Sequence, residues 1–304
     1  MKFATVSCDG RQFVAILDQE GKVFRPVSEA YPGISEAVAS DMIAFIAASA
    51  ELPSPILAGP GTPLSAARIL APIPSPRRDI MCVGKNYYEH AREFTASGYD
   101  SSAQSAAQAI PTAPIIFGKS ADSVIASEDD ILLFPGVDEF IDYEAELAVV
   151  IGKAGRGISK DKALEHVFGY TLVNDVTARD LQDRHKQWYL AKSLDTACPM
   201  GPCIVTADAL DLAGDTIRCW VDGELRQEAH LCDMIFDIPT LIETISRGIE
   251  LKPGDIIATG TPAGVGLGFK PAKFLKDGNV VSMEIEAIGR LTNTVRRAAG
   301  GKAA

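Results

Sequence analysis

An α+β fold built around a curled mixed sheet is predicted by three observations. From Ile115 to Val295 the chain reads mostly as strands. The helices among them, near Lys160 to His166, Ala178 to Lys186 and Pro239 to Gly248, do not alternate with strands as a doubly wound α/β fold requires. A Pro-rich stretch, APIPSPRR at 71–78, cannot continue a helix and sets a short leading region apart. Residues 1–75 therefore read as a small N-terminal α/β cap and 76–304 as the main domain.

In the cap, residues 2–7, 12–17 and 22–25 read as short strands divided by turn signals at Asp9-Gly10 and Glu20-Gly21. ISEAVASDMIAFIAASA then has helical apolar spacing. Beyond the linker, IMCVG reads as a strand and NYYEHAREF as a helix. The segment Thr95 to Ala113 has little apolar periodicity and reads as a mobile loop. There is no internal repeat, and the Ala/Gly-rich tail RRAAGGKAA is the one biased tract.

The chain of 304 residues is long enough to bury a substantial core. Forty acids against 29 bases give a formal net charge of −11, with no basic run, so neither nucleic acid nor an anionic membrane is an expected partner. Six cysteines without a CxxC pair, and a start, MKFATVSCDG, without the apolar core of a signal peptide, lead us to expect a cytoplasmic protein. No apolar run approaches the roughly 20 residues of a membrane span.

The chemistry begins in IDYEAELAVVIG, where Glu144 and Glu146 sit two apart in an otherwise apolar, strand-like run. Side chains at i and i+2 of a strand point the same way, roughly 6 to 7 Å apart at Cα. Burying two such carboxylates together is costly unless a cation compensates them. A third acid, Asp175, ends the strand FGYTLVND. Three carboxylates without suitably spaced Cys or His suit Mg²⁺ or Mn²⁺, less well Ca²⁺, and not Zn²⁺. The alternative is that both glutamates face solvent on an ordinary edge strand.

His90 and Glu93, three apart in KNYYEHAREF, share a helix face, as a general base and its orienting acid would, or as a surface ion pair would. His166, His185 and His230 have no such partner. Lys192 sits among small and apolar residues, where an ammonium either faces a site or reaches solvent along its stem. DIIATGTPAGVGLGFK places a glycine-rich turn after a strand, freeing backbone N–H groups and the Thr261 hydroxyl to meet an anion. Its GxGxG spacing is neither a phosphate loop nor a dinucleotide fingerprint.

In order, GKNYYEHAREF, YEAELAVVIGK, NDVTARDLQ, AKSLDTACPMGP and IIATGTPAGVG resemble the fumarylacetoacetate hydrolase family over roughly 79 to 295. The resemblance implies a mixed β-sheet roll, a partly open barrel, with Glu144, Glu146 and Asp175 as metal ligands. It implies that His90 and Glu93 form a catalytic dyad on a helix that orders over substrate. It further implies that Lys192 and Gln182 contact the reacting carbonyl, that Thr261 holds a substrate carboxylate, and that the protein is a homodimer. A further metal-binding Asp of the name-giving hydrolase falls at Val83 here, which points to the acylpyruvase and 2-hydroxyhepta-2,4-diene-1,7-dioate isomerase branch.

The function expected first is metal-dependent hydrolysis of a C–C bond in a small 2,4-dioxo acid, an acylpyruvate or fumarylpyruvate, through a pyruvate enolate. Isomerase or decarboxylase action on 2-hydroxymuconate-like or oxaloacetate-like 2-oxo acids of aromatic degradation shares that enolate and stands second. A non-catalytic metal-binding scaffold stands third, disfavoured because dyad, lysine and acids are all present together.

Overall fold

The computed structural model describes residues 1–99 and 106–298. Two large mixed sheets, neither closed into a barrel, face each other across the main apolar core. The larger has twelve strands and the smaller five, the latter running Glu224–His230, Thr216–Val221, Val280–Ile285, Gly289–Arg297 and Asp130–Leu133.

The strand Ala145–Ile151 shows why its sequence is apolar rather than alternating. Ala145, Leu147, Val149 and Ile151 enter the core between the sheets, while Ala148 and Val150 enter a second core with Phe3, Met42, Phe45 and Ile46. Both faces are covered, so both parities are apolar. The leading strands are part of this architecture: Lys2–Cys8 pairs antiparallel with Cys198–Thr206, Phe3 opposite Ile204, so one sheet runs across the Pro-rich linker. The linker itself carries no helix or strand over 71–78.

Several elements differ from expectation. The helix expected over ISEAVASDMIAFIAASA is two, Glu36–Ala39 and Met42–Ala48, because the Asp41 carboxylate accepts the Ala44 N–H and starts a new helix there. The helix bearing His90 runs through Ser97 and stops at Gly98, which takes φ 84°, so 95–97 are helical rather than loop. The remainder of that expected loop falls partly on 100–105, outside the described residues. Lys160–His166 is a 3-10 helix. Among the described residues no helix is long and apolar enough to cross a membrane.

Close approach of two strands fixes one glycine. A Cβ at Gly169 would lie 2.0 Å from the Val205 carbonyl oxygen, within the Val167–Asn174 to Cys198–Thr206 pairing. Gly169→Ala is therefore expected to lower the unfolding free energy by about 2 kcal/mol or more, the scale of overpacking a tight interior. Urea denaturation checks this, and an unchanged midpoint would contradict it.

Candidate active site

Four neighbouring strands deliver the site residues to one end of the large sheet. Val167–Asn174 and Ala145–Ile151 are antiparallel, as are Ala145–Ile151 and Ile256–Ala258, and Ile80–Gly84 runs parallel to the last. The end of the first strand, the start of the second and the ends of the other two therefore coincide. Asp175 follows the first, Glu144 and Glu146 stand at the start of the second, and the glycine-rich turn follows the third. The helix Tyr88–Ser97 follows the fourth. Glu144 lies just outside its strand, its N–H held by Asn174 Oδ1 at 3.1 Å and its carbonyl by the Asp175 N–H at 2.9 Å.

Glu144, Glu146 and Asp175 are all buried, and one carboxylate oxygen from each lies within 4.8 Å of the others. Lys192 Nζ donates to Glu144 Oε2 at 2.7 Å and to Asp175 Oδ2 at 2.6 Å. Lys192 thus faces the site and does not snorkel. Burial alone would raise the Glu144 carboxyl, but Lys192 and Arg179 outweigh it and hold the group at about 2. Burial would lower Lys192, and Asp175 and Glu144 outweigh that too, pushing it up. Glu146 goes the other way. Burial, then Asp175 and Glu144, push it well above the carboxylate range, outweighing Lys192 and the hydrogen bond from the Gly260 N–H at 2.9 Å. Among the described residues no basic side chain pairs with it.

This donor set fits a hard divalent cation. All the oxygens are carboxylate, Glu146 has no ion pair among the described residues, and Asp175 Oδ1 is buried without a hydrogen bond although Lys119 Nζ lies 2.9 Å away. Glu144, Glu146 and Asp175 would hold the ion.

A cavity opens over these acids, lined by Lys85, His90, Glu144, Glu146, Arg179, Gln182, Lys192 and Thr261. Its apolar walls are Val83, Phe94, Phe117 and Trp188. Asp175 lies behind Lys192 and does not line it. His90 is 4% exposed, with Nδ1 at 3.4 Å from Glu93 Oε2, so the structure brings the two side chains together. Thr261 Oγ1 accepts from Gln227 Nε2 at 2.7 Å, and Gln182 Oε1 accepts from Arg179 Nη1 at 3.1 Å.

The glycine-rich turn does meet anions, and they belong to the protein. The Gly260 N–H holds Glu146. The Gly264 N–H holds Glu93 at 3.2 Å, and those of Gly266 and Leu267 hold Asp142 at 2.6 and 3.1 Å. Two glycines are required by shape: a Cβ at Gly264, where φ is 100°, would meet the Arg226 carbonyl at 1.9 Å, and one at Gly268 would meet Glu93 Oε1 at 1.8 Å.

Asp142 and Arg179 are the residues sequence reasoning missed. Asp142, Glu144 and Glu146 form an i, i+2, i+4 series of acids, and Arg179 sits three before Gln182, spacings visible in the sequence. Both Asp142 and Arg179 are at most 1% exposed and paired, Arg179 Nε to Asp142 Oδ2 at 3.0 Å.

Comparison with known proteins gives the family and its fold. A family model described as fumarylacetoacetate (FAA) hydrolase C-terminal matches residues 79–296. Oxaloacetate tautomerase YisK of Bacillus subtilis (strain 168) is 42% identical over 310 residues, taking in 97% of this chain and 100% of that protein. The solved structure of 5-carboxymethyl-2-hydroxymuconate delta-isomerase from Mycobacterium smegmatis has a TM-score of 0.75 at 32% identity, over 98% of this chain and 100% of that one. Maleylpyruvate hydrolase from Sphingobium sp. SYK-6, in complex with manganese(II) ion and pyruvate, has a TM-score of 0.73 at 27% identity over 98% and 100%.

The unpaired charge of Glu146 gives a prediction of two signs. Saturating Mg²⁺ or Mn²⁺ is expected to raise the melting temperature by several degrees, as about 2.7 kcal/mol at a hundredfold excess over Kd implies. Glu146→Gln should abolish that rise. Because an ionised Glu146 is disfavoured by its surroundings, the same variant should melt no lower than the parent chain in chelator. Scanning calorimetry reads both, and a retained cation-dependent rise in Glu146→Gln would contradict the assignment.

Proposed function

This chain belongs to the fumarylacetoacetate hydrolase family, and from that premise we propose that it is a divalent-cation-dependent tautomerase of oxaloacetate-like 2-oxo acids, moving a proton between C3 and the C2 oxygen. The chemistry of the cavity carries this reading: the Glu144 and Glu146 carboxylates, the Lys192 ammonium, the Gln182 amide and the His90 imidazole line one cavity, a set that serves proton transfer beside a 2-oxo group without a bound water. The similarity to oxaloacetate tautomerase over nearly the whole of both chains supports the same choice.

The residues divide the work. Mg²⁺ or Mn²⁺ held by Glu144, Glu146 and Asp175 would supply Lewis acidity at the substrate carboxylate and 2-oxo oxygens. His90, oriented through Nδ1 by Glu93, takes the C3 proton on its cavity side or returns it in the reverse direction. Negative charge then develops on the C2 oxygen, and the fixed charge of Lys192 and the amide of Gln182 stabilise it without reorganising. The enol forms when that oxygen is protonated. Thr261, its Oγ1 accepting from Gln227, keeps its O–H as a donor for a substrate carboxylate. Phe94, Phe117 and Trp188 keep bulk water from the enolate.

C–C hydrolysis is the second reading, because the His90–Glu93 pair serves equally to activate water and a maleylpyruvate hydrolase is similar in structure.

The two are separated by assaying loss of enol absorbance from oxaloacetate alongside cleavage of an acylpyruvate. The wild-type chain with Mg²⁺ is expected to accelerate the first far more than the second, and His90→Ala to lose at least roughly 100-fold, the scale of a positioned general base. Acylpyruvate cleavage with oxaloacetate tautomerising only at its solution rate would overturn the proposal in favour of hydrolysis.

A further inference from the structure

We infer that Lys119, buried behind the ion-site acids, is a positioning residue that fixes the backbone from which Lys192 reaches the cavity. The inference rests on the role given above to Lys192 at the developing enolate. Lys119 ends the strand Ile115–Lys119, is 0% exposed and does not line the cavity, so any effect it has on the chemistry passes through the groups it contacts. Its Nζ donates to the Val176 carbonyl at 3.0 Å and to the Lys192 carbonyl, and lies 2.9 Å from Asp175 Oδ1. One ammonium thus joins an ion-site acid, the residue that follows it and the backbone of Lys192.

Lys192 needs such an anchor. It ends the four-residue helix Tyr189–Lys192, and the last carbonyls of a helix have no partner within it. A lysine carries its ammonium on a flexible stem, so the head is placed only as well as the backbone beneath it is held. Lys119 holds the carbonyl of Lys192, and the next residue repeats the tie: the Ser120 N–H donates to Ser193 Oγ at 3.0 Å. Phe117 stands two before Lys119 and so shares its strand face, and its ring centre lies 5.2 Å from Lys192 Nζ. One strand therefore supports Lys192 at both ends, Phe117 beneath the ammonium and Lys119 beneath the carbonyl.

Charge balance alone does not account for these contacts. Asp175 already receives Lys192 Nζ on Oδ2 at 2.6 Å, and an ammonium placed only to offset Oδ1 has no need of the two carbonyls. The two roles differ measurably. An offsetting charge acts through space, so its loss adds to the loss of the Lys192 ammonium. An anchor acts through Lys192, so its loss costs little once that ammonium is gone.

The test is a double-mutant cycle in binding on the full chain, with Lys119→Met, Lys192→Met and their combination. Each is titrated calorimetrically with Mn²⁺ and then, at saturating Mn²⁺, with oxalate, a planar dianion that presents the oxygen pair of a 2-oxo acid enolate. Lys119→Met is expected to bind Mn²⁺ within about threefold of wild type or more tightly, since a positive charge leaves the neighbourhood of three intact acids. It should weaken oxalate about tenfold or more, the scale of a displaced binding group. In the Lys192→Met background the same change should cost less than about threefold. Oxalate losses that multiply across the cycle, oxalate binding within about threefold of wild type in Lys119→Met, or Mn²⁺ affinity lowered by more than that would overturn the inference. Should Lys119→Met fail to fold, Lys119→Gln replaces it, and its side chain is one carbon shorter, so the same oxalate loss is expected. Failure of both to fold would make Lys119 a folding residue and equally overturn it. Unchanged oxalate affinity in Lys192→Met would overturn the role given to Lys192 and the inference with it. The expected cycle in a wild-type chain that leaves oxaloacetate at its solution rate would overturn the tautomerase reading and leave Lys119 as the anchor of Lys192.

Discussion

The burial of Asp142, Glu144, Glu146 and Asp175 at one sheet end is the constraint that the other features answer. Four carboxylates in so dry a place would repel one another and unfold the site unless each found a cation or a set of N–H groups. The buried bases Lys119, Arg179 and Lys192 and the amides of the turn at 260–267 supply that compensation, and a further buried base, Lys85, lines the same cavity. Among the described residues none of these bases forms an ion pair with Glu146.

The same turn ties the acid-base pair to the ion site. Because Gly264 holds Glu93 while Gly260 holds Glu146, the helix Tyr88–Ser97 and the carboxylate cluster are registered by one stretch of backbone, residues 260–264. The helix also rests on a satellite apolar cluster of Phe94, Val265 and Leu267, again drawn from that turn. The His90–Glu93 pair and the carboxylate cluster thus share a common reference frame.

The ion-site acids, the dyad, Lys192 and the glycine turn were legible in the sequence because each breaks a local pattern: charge in an apolar strand, glycine where no simple turn is needed. The absence of β/α alternation was enough to give the α+β class. What stayed hidden was partnership. Asp142 and Arg179 look like ordinary charged residues in sequence, since nothing local shows that the 141–142 and 177–178 strands pair and bring them together. The turn's N–H groups were expected to meet an external anion, but their acceptors come from residues 93, 142 and 146, separations that periodicity does not report. The break at Asp41 was visible as a capping residue, yet the apolar spacing on both sides of it reads continuously.

The central claim is that Glu146, without an ion pair of its own among the described residues, marks the seat of a divalent cation. Anomalous diffraction from crystals of the protein loaded with Mn²⁺ tests it most directly. The account predicts one strong peak within coordination distance, about 2.0 to 2.6 Å, of carboxylate oxygens from Glu144, Glu146 and Asp175. A peak elsewhere, or none at that position at saturating Mn²⁺ with Lys192 still bridging Glu144 and Asp175, would contradict it.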